Sequence, residues 1–150
     1  MNDTGYLILN LESNNLNNDI ISYGINSNKN NPFKQDILFT TNSDLISNPG
    51  LPILHISQSK FFFGNIFIFD INSILLTSDS PNIKTRFFYA TDIPWINTNE
   101  NYNYWISLFN SDNLQIIAQN QQIFDIYNIC WKKPIGISER FDYETINRFI

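Results

Sequence analysis

Apolar residues along this chain fall into compact runs, separated by stretches in which they recur every three or four positions. The runs are residues 5–11 (GYLILNL), 36–41 (DILFTT), 51–57 (LPILHIS), 65–70 (NIFIFD), 85–91 (TRFFYAT), 114–119 (LQIIAQ) and 134–138 (PIGIS). Several are continuous rather than alternating, the pattern of strands covered on both faces. Between them Leu16, Ile20 and Tyr23 keep helical spacing, as do Tyr102, Trp105, Ile106 and Phe109. Ile123, Ile126, Tyr127, Cys130 and Trp131 do the same behind Asn120, which has the chemistry of an N-cap. Near the end, Asp142 is placed to cap a last helix, with Phe141 and Ile146 at the spacing of a hydrophobic staple. Residues 26–32 (NSNKNNP) read as a polar loop. Strands alternating with helices predict a mainly parallel α/β sheet with helices on both faces, and 150 residues suit a single domain.

Composition narrows the function classes. Charged residues make up 15% of the chain, well below the usual share of about 25%. Asparagine fills the difference, a usage typical of AT-rich genomes, viral and bacterial alike. The net charge is −5 and the cations are scattered singly, so the clustered Lys and Arg that hold a nucleic-acid backbone are missing. The longest strongly apolar stretch, 61–69, is interrupted by Gly64 and Asn65, too short and too broken for a spanning helix. The first ten residues lack the basic region of a signal peptide, so the expected location is the cytoplasm, that of a host cell or a virion included. One cysteine, Cys130, makes neither an internal disulfide nor a zinc site, and its helical neighbours predict a buried thiol.

Ligands of open α/β sheets bind beyond the carboxyl ends of the strands, so the polar residues there are the candidates for chemistry. His55, the chain's one histidine, could serve as a base or a hydrogen-bond donor. It could also be a neutral side chain satisfied by the backbone, and this plainer reading is preferred. Ser57 and Asp70 end their runs. Asp70 with Asn72 forms an acid-x-amide pair that could hold a divalent metal against a diphosphate, or Asp70 could simply cap the next turn. Asp92 opens the sequence DIPW, in which Pro94 stiffens the loop and Trp95 either offers a ring for stacking or packs on the sheet. Gln119, Asn120, Ser138 and Glu139 follow, and Glu12, Ser13, Thr41, Asn42 and Gln58 complete the set. Neither Ser57 nor Ser138 lies in a G-x-S-x-G elbow, and no glycine-rich phosphate loop is present.

Three stretches carry a family resemblance: LPILHISQSKFFFGNIFIFD, RFFYATDIPW, and the segment from LQIIAQNQQIFDIYNICWKKPIGIS through ERFDYETINRFI. Together they resemble nucleotide-sugar glycosyltransferases of the two-Rossmann-domain type, in particular small virus-encoded ones. The resemblance implies a Rossmann-like sheet and a nucleotide sugar held at the strand ends. By position, Gln119, Asn120, Ser138 and Glu139 would line the donor side, with Asp70 or Asp92 assisting a metal or the acceptor. Two departures stand out. The chain has the length of one such domain rather than two. The paired glutamates seven residues apart are also missing, since Glu139 and Glu144 are closer. The resemblance therefore leaves open a minimal enzyme, a homo-oligomer whose subunits build the cleft between them, and a domain that has kept the fold without the catalysis. The alternative class is a non-catalytic interaction or virion-associated domain, which the aromatic content of 15% would suit.

Overall fold

A computed structural model describes residues 3–43 and 50–150. Seven strands, β1 (Asp3–Leu7), β2 (Ile37–Thr40), β3 (Ile53–His55), β4 (Gly64–Ile68), β5 (Ile83–Ala90), β6 (Leu114–Ala118) and β7 (Gly136–Ile137), form one sheet. Its order is β3-β2-β1-β4-β5-β6-β7, and every neighbouring pair is parallel. The helices are α1 (Asn15–Asn30), α2 (Ile71–Ser78), α3 (Tyr102–Phe109), α4 (Gln121–Cys130) and α5 (Tyr143–Ile146). The fold is Rossmann-like, as expected.

The apolar runs explain the layering. Successive strand residues point to opposite faces, and both faces are apolar here. Tyr6, Leu38, Phe67, Phe87, Tyr89 and Ile117 pack on one side with Ile20 and Tyr23 of α1 and Ile146 of α5. Their chain neighbours Leu7, Phe39, Ile68, Phe88 and Ile116 pack on the other, against Ile74 of α2, Trp105 and Phe109 of α3, and Tyr127 of α4. The division follows from handedness. Parallel crossovers are right-handed, so a chain stepping from β1 to β2 leaves its helix on one face. Once the direction reverses at β4, every later crossover lays its helix on the opposite face. The reversal falls between β1 and β4, the topological switch point at which such sheets open a crevice.

Several expectations are corrected. The proposed loop 26–32 continues α1 as far as Asn30. Asn28 holds it there, its amide donating to the carbonyls of Asp36 (3.1 Å) and Gly50 (3.2 Å) and its Oδ1 accepting from the Asp36 amide (2.6 Å). The run 51–57 is strand only at Ile53–His55, after which Ile56–Phe61 turns into a 3-10 helix. His55 is therefore the last residue of its strand rather than an interior one, and Ser57 lies beyond it in the helical turn. Cys130 is exposed at the end of α4, because the buried face of that helix consists of Ile123 and Tyr127. α2 was not anticipated. Its sequence INSILLTS is short and mixes exposed Leu75 and Leu76 with buried Ser73 and Thr77. Among the described residues no helix is long and apolar enough to cross a membrane.

Candidate functional site

The parallel sheet puts the carboxyl ends of all seven strands along one rim. From one edge to the other this rim carries His55, Thr41, the β1–α1 turn with Glu12, Asp70, Asp92, Gln119 with Asn120, and Ser138 with Glu139. Adjacent strands stand roughly 4.8 Å apart. His55 and Glu139 are six strand spacings apart, roughly 29 Å, so the predicted set cannot surround one ligand. His55 and Ser57 form a local pair at one edge. The His55 Nδ1 lies 2.9 Å from the Ser57 hydroxyl and accepts from the Ser57 amide at 3.3 Å, so that His55 caps the 3-10 helix. Both residues are exposed.

At the switch point the rim closes on itself. The Asn42 side chain accepts from the Leu11 amide and donates to the Leu11 carbonyl, both at 3.1 Å. The Thr41 hydroxyl donates to the Leu9 carbonyl at 2.6 Å. These bonds pin the β1–α1 turn to the end of β2. Asn14 caps α1 by accepting from the Asn17 amide at 2.8 Å, and Asn17 is tied to the Glu12 carbonyl. Asp70 caps α2. One oxygen accepts from the Ser73 amide at 2.9 Å and the other from the Ser73 hydroxyl at 2.5 Å, so both oxygens serve the helix.

The open part of the rim lies over β5 and β6. A cleft of about 520 Å³ there is bordered by Thr91, Asp92, Pro94, Asn120, Gln122 and Ile123. Asp92 is exposed, and its carboxylate has no hydrogen bond or ion pair among the described residues; only its carbonyl is used, accepting from the Tyr127 hydroxyl at 3.3 Å. Asn120 caps α4, its Oδ1 accepting from the Ile123 amide at 2.9 Å. The structure thus brings Asp92 and Asn120 together. Gln122 was missed by sequence reasoning; as an ordinary first-turn residue it carries no signal. Trp95 turns away into an aromatic cluster, its ring centre 4.8 Å from that of Tyr127 and 5.4 Å from that of Trp131.

Ser138 and Glu139 lie two strands from Asp92. Ser138 is buried, its hydroxyl donating to the Arg140 carbonyl at 2.5 Å and its own carbonyl accepting from the Tyr89 hydroxyl at 2.7 Å. Burial, reinforced by the carboxylates of Asp19 and Asp142, pushes the Tyr89 phenol up to about 12, while a hydrogen bond with the Gln119 side chain pulls it the other way. Glu139 is exposed. Next to it Arg140 pairs with Asp19 of α1 at 3.0 Å. That hydrogen-bonded pair, together with nearby Asp142, holds the guanidinium above its ordinary value.

The rim is acidic. Glu12, Asp70, Asp92, Glu139 and Asp142 follow strand ends, and Arg140 is the cation beside them. Lys29, Lys34, Lys84, Lys132 and Lys133 sit toward the other end of the strands. Among the described residues no three His, Cys, Asp or Glu side chains come together, and Asp70, the predicted ligand, is committed to its cap.

No protein-family model matches the chain, and neither does any curated protein or solved structure.

Proposed function

We propose that the protein is a glycosyltransferase-like domain that binds a nucleotide sugar across the tips of β4 to β7, centred on the cleft beside Asp92. The observation that supports this reading is the unbroken parallel pairing of the sheet, which turns every strand tip toward one rim. The chemistry of the open segment suits the hydroxyl-rich part of such a ligand. A carboxylate with no partner among the described residues and two carboxamides would accept from and donate to sugar and ribose hydroxyls. The amides of Gln121 and Gln122 at the first turn of α4 are the rim's best group for a phosphate. Asp92 is the side chain placed to take a proton from an acceptor hydroxyl. Glu139, roughly 10 Å along the rim, would meet the other end of an extended ligand.

The test is the melting temperature of the full chain across a panel of nucleotide sugars, nucleotides and free sugars. Ligand at a hundred times its Kd adds about 2.7 kcal/mol of stability. A rise with one nucleotide sugar, lost in Asp92→Asn, supports the reading. An unchanged melting temperature across the panel contradicts it.

One observation favours the interaction-domain alternative. At the opposite end of the sheet Phe61 and Phe63 are 72% and 63% exposed, beside an apolar depression of about 430 Å³ lined by Ile37, Phe39, Leu54 and Phe62. An exposed aromatic patch of this kind marks contact surfaces. If it is one, light scattering shows a mass above that of the monomer that returns to it in Phe61→Ser/Phe63→Ser; a monomer at every concentration removes the support.

A further inference from the structure

The end of the sheet away from the rim holds a second polar space, open to solvent, between the sheet and the α1–α5 layer. The register sets Thr4 of β1 directly beside Asn65 of β4. Both point to the same face as Tyr6 and Phe67, which lie two residues further along their strands. Together with Ser27 near the end of α1, Lys34, Tyr143 and Asn147 they border a cavity of about 400 Å³, within the size range of small-molecule sites.

Two features suit the cavity to a polar occupant. Thr4 is 1% exposed, yet its hydroxyl has no hydrogen-bond partner among the described residues, and neither has the Asn65 amide. Asn65 is half-buried, and both groups keep their polar atoms open to the cavity, where they can donate to and accept from an occupant. Charge then decides what kind of occupant fits. Lys34 already faces Asp36, with Nζ 3.2 Å from Oδ1, and the Asp36 side chain is fully buried. Its positive charge is thereby balanced, so an anion entering here would lose its water without gaining a net cation. The remaining groups are hydroxyls and carboxamides, which both donate and accept, as sugar hydroxyls do. The Tyr143 ring supplies an apolar wall.

We infer that this cavity binds a neutral, hydroxyl-rich molecule about the size of one sugar ring. The site is independent of the rim and stands at the other end of the strands. The experiment is a titration of the ¹⁵N-labelled full chain with glucose, galactose, mannose, N-acetylglucosamine and myo-inositol, with inorganic phosphate as the charged comparison. Saturable shifts for one of the neutral probes are expected at the amides of Thr4, Ser27, Asn65 and Asn147, and Thr4→Val and Asn65→Leu should each weaken binding about tenfold. If one variant fails to fold, the other and the wild-type shift map decide. A cavity that holds water only, with no saturable shift at these amides, overturns the inference. So does saturation by phosphate alone, or binding undiminished in every variant that folds.

Discussion

Asp70 shows how a single side chain can be read two ways from sequence and one way from structure. An acid closing an apolar run is the ordinary mark of a strand-end ligand, and it is also the preferred residue at a helix N-cap. Here both carboxylate oxygens are taken by Ser73. Asparagine caps as well as aspartate, so Asp70→Asn should unfold within about 0.5 kcal/mol of wild type while Asp70→Ala loses about 1 kcal/mol, as read from urea midpoints. Equal losses in the two would mean that the charge, not the cap, is what matters. The caps at Asn120 and Asp142 were legible because each stands directly before a periodic apolar segment. The exposure of Cys130 was not, because periodicity fixes a stripe of residues and leaves open which edge of the stripe reaches the core. That Asp92 and Gln122 border one cleft was also beyond sequence, since it depends on which strands are neighbours.

At the scale of elements, the strands were readable because two covered faces demand continuous apolar runs, and such runs tolerate few alternatives. Their ends were less readable. α1 outruns its apolar pattern because Asn28 makes three hydrogen bonds to Asp36 and Gly50, beyond the end of the helix. α2 was hidden because its buried face includes Ser73 and Thr77, and the Thr77 hydroxyl is satisfied within the helix by the Ser73 carbonyl at 3.1 Å and the Ile74 carbonyl at 3.0 Å. The start of β4 turns on Gly64, whose φ is +146°. A Cβ there would lie 2.3 Å from the Asp3 carbonyl oxygen, which is backbone and cannot swing aside. Gly64→Ala should therefore cost about 3 kcal/mol or more, a loss that equilibrium denaturation would resolve; a cost below about 1 kcal/mol would show that the β1–β4 register can slip.

For the whole molecule, buried phenols tie stability to alkaline pH. Tyr6, Tyr23, Tyr89 and Tyr127 are all held above the ordinary value of 10, chiefly by burial, with Asp36 adding to the rise at Tyr6 and Tyr23 and Asp92 at Tyr127. A phenol raised in the folded state keeps its proton there after the unfolded chain has lost it. Its stabilisation is complete below about pH 10 and drains away as pH rises through the folded value. Each phenol removes up to about 1.4 kcal/mol per pH unit in that window. The melting temperature should therefore change little across neutral pH on this account and fall steeply above about 10, with absorbance from these four tyrosinates appearing only as the chain unfolds. Tyrosinate absorbance from all seven tyrosines at pH 10.5 in a chain that is still folded would contradict the burial described here.

The same scale holds the functional claim, that a parallel sheet gathers its working groups along one acidic rim and opens that rim beside Asp92. Its most direct test is a chemical-shift map of the ¹⁵N-labelled chain titrated with nucleotide sugars. Saturable shifts concentrated at Thr91, Asp92, Asn120, Gln121 and Gln122, with the Phe61–Phe63 edge unmoved, are the predicted result. Saturable shifts confined to the opposite end of the strands, or none at any concentration reached, would contradict it.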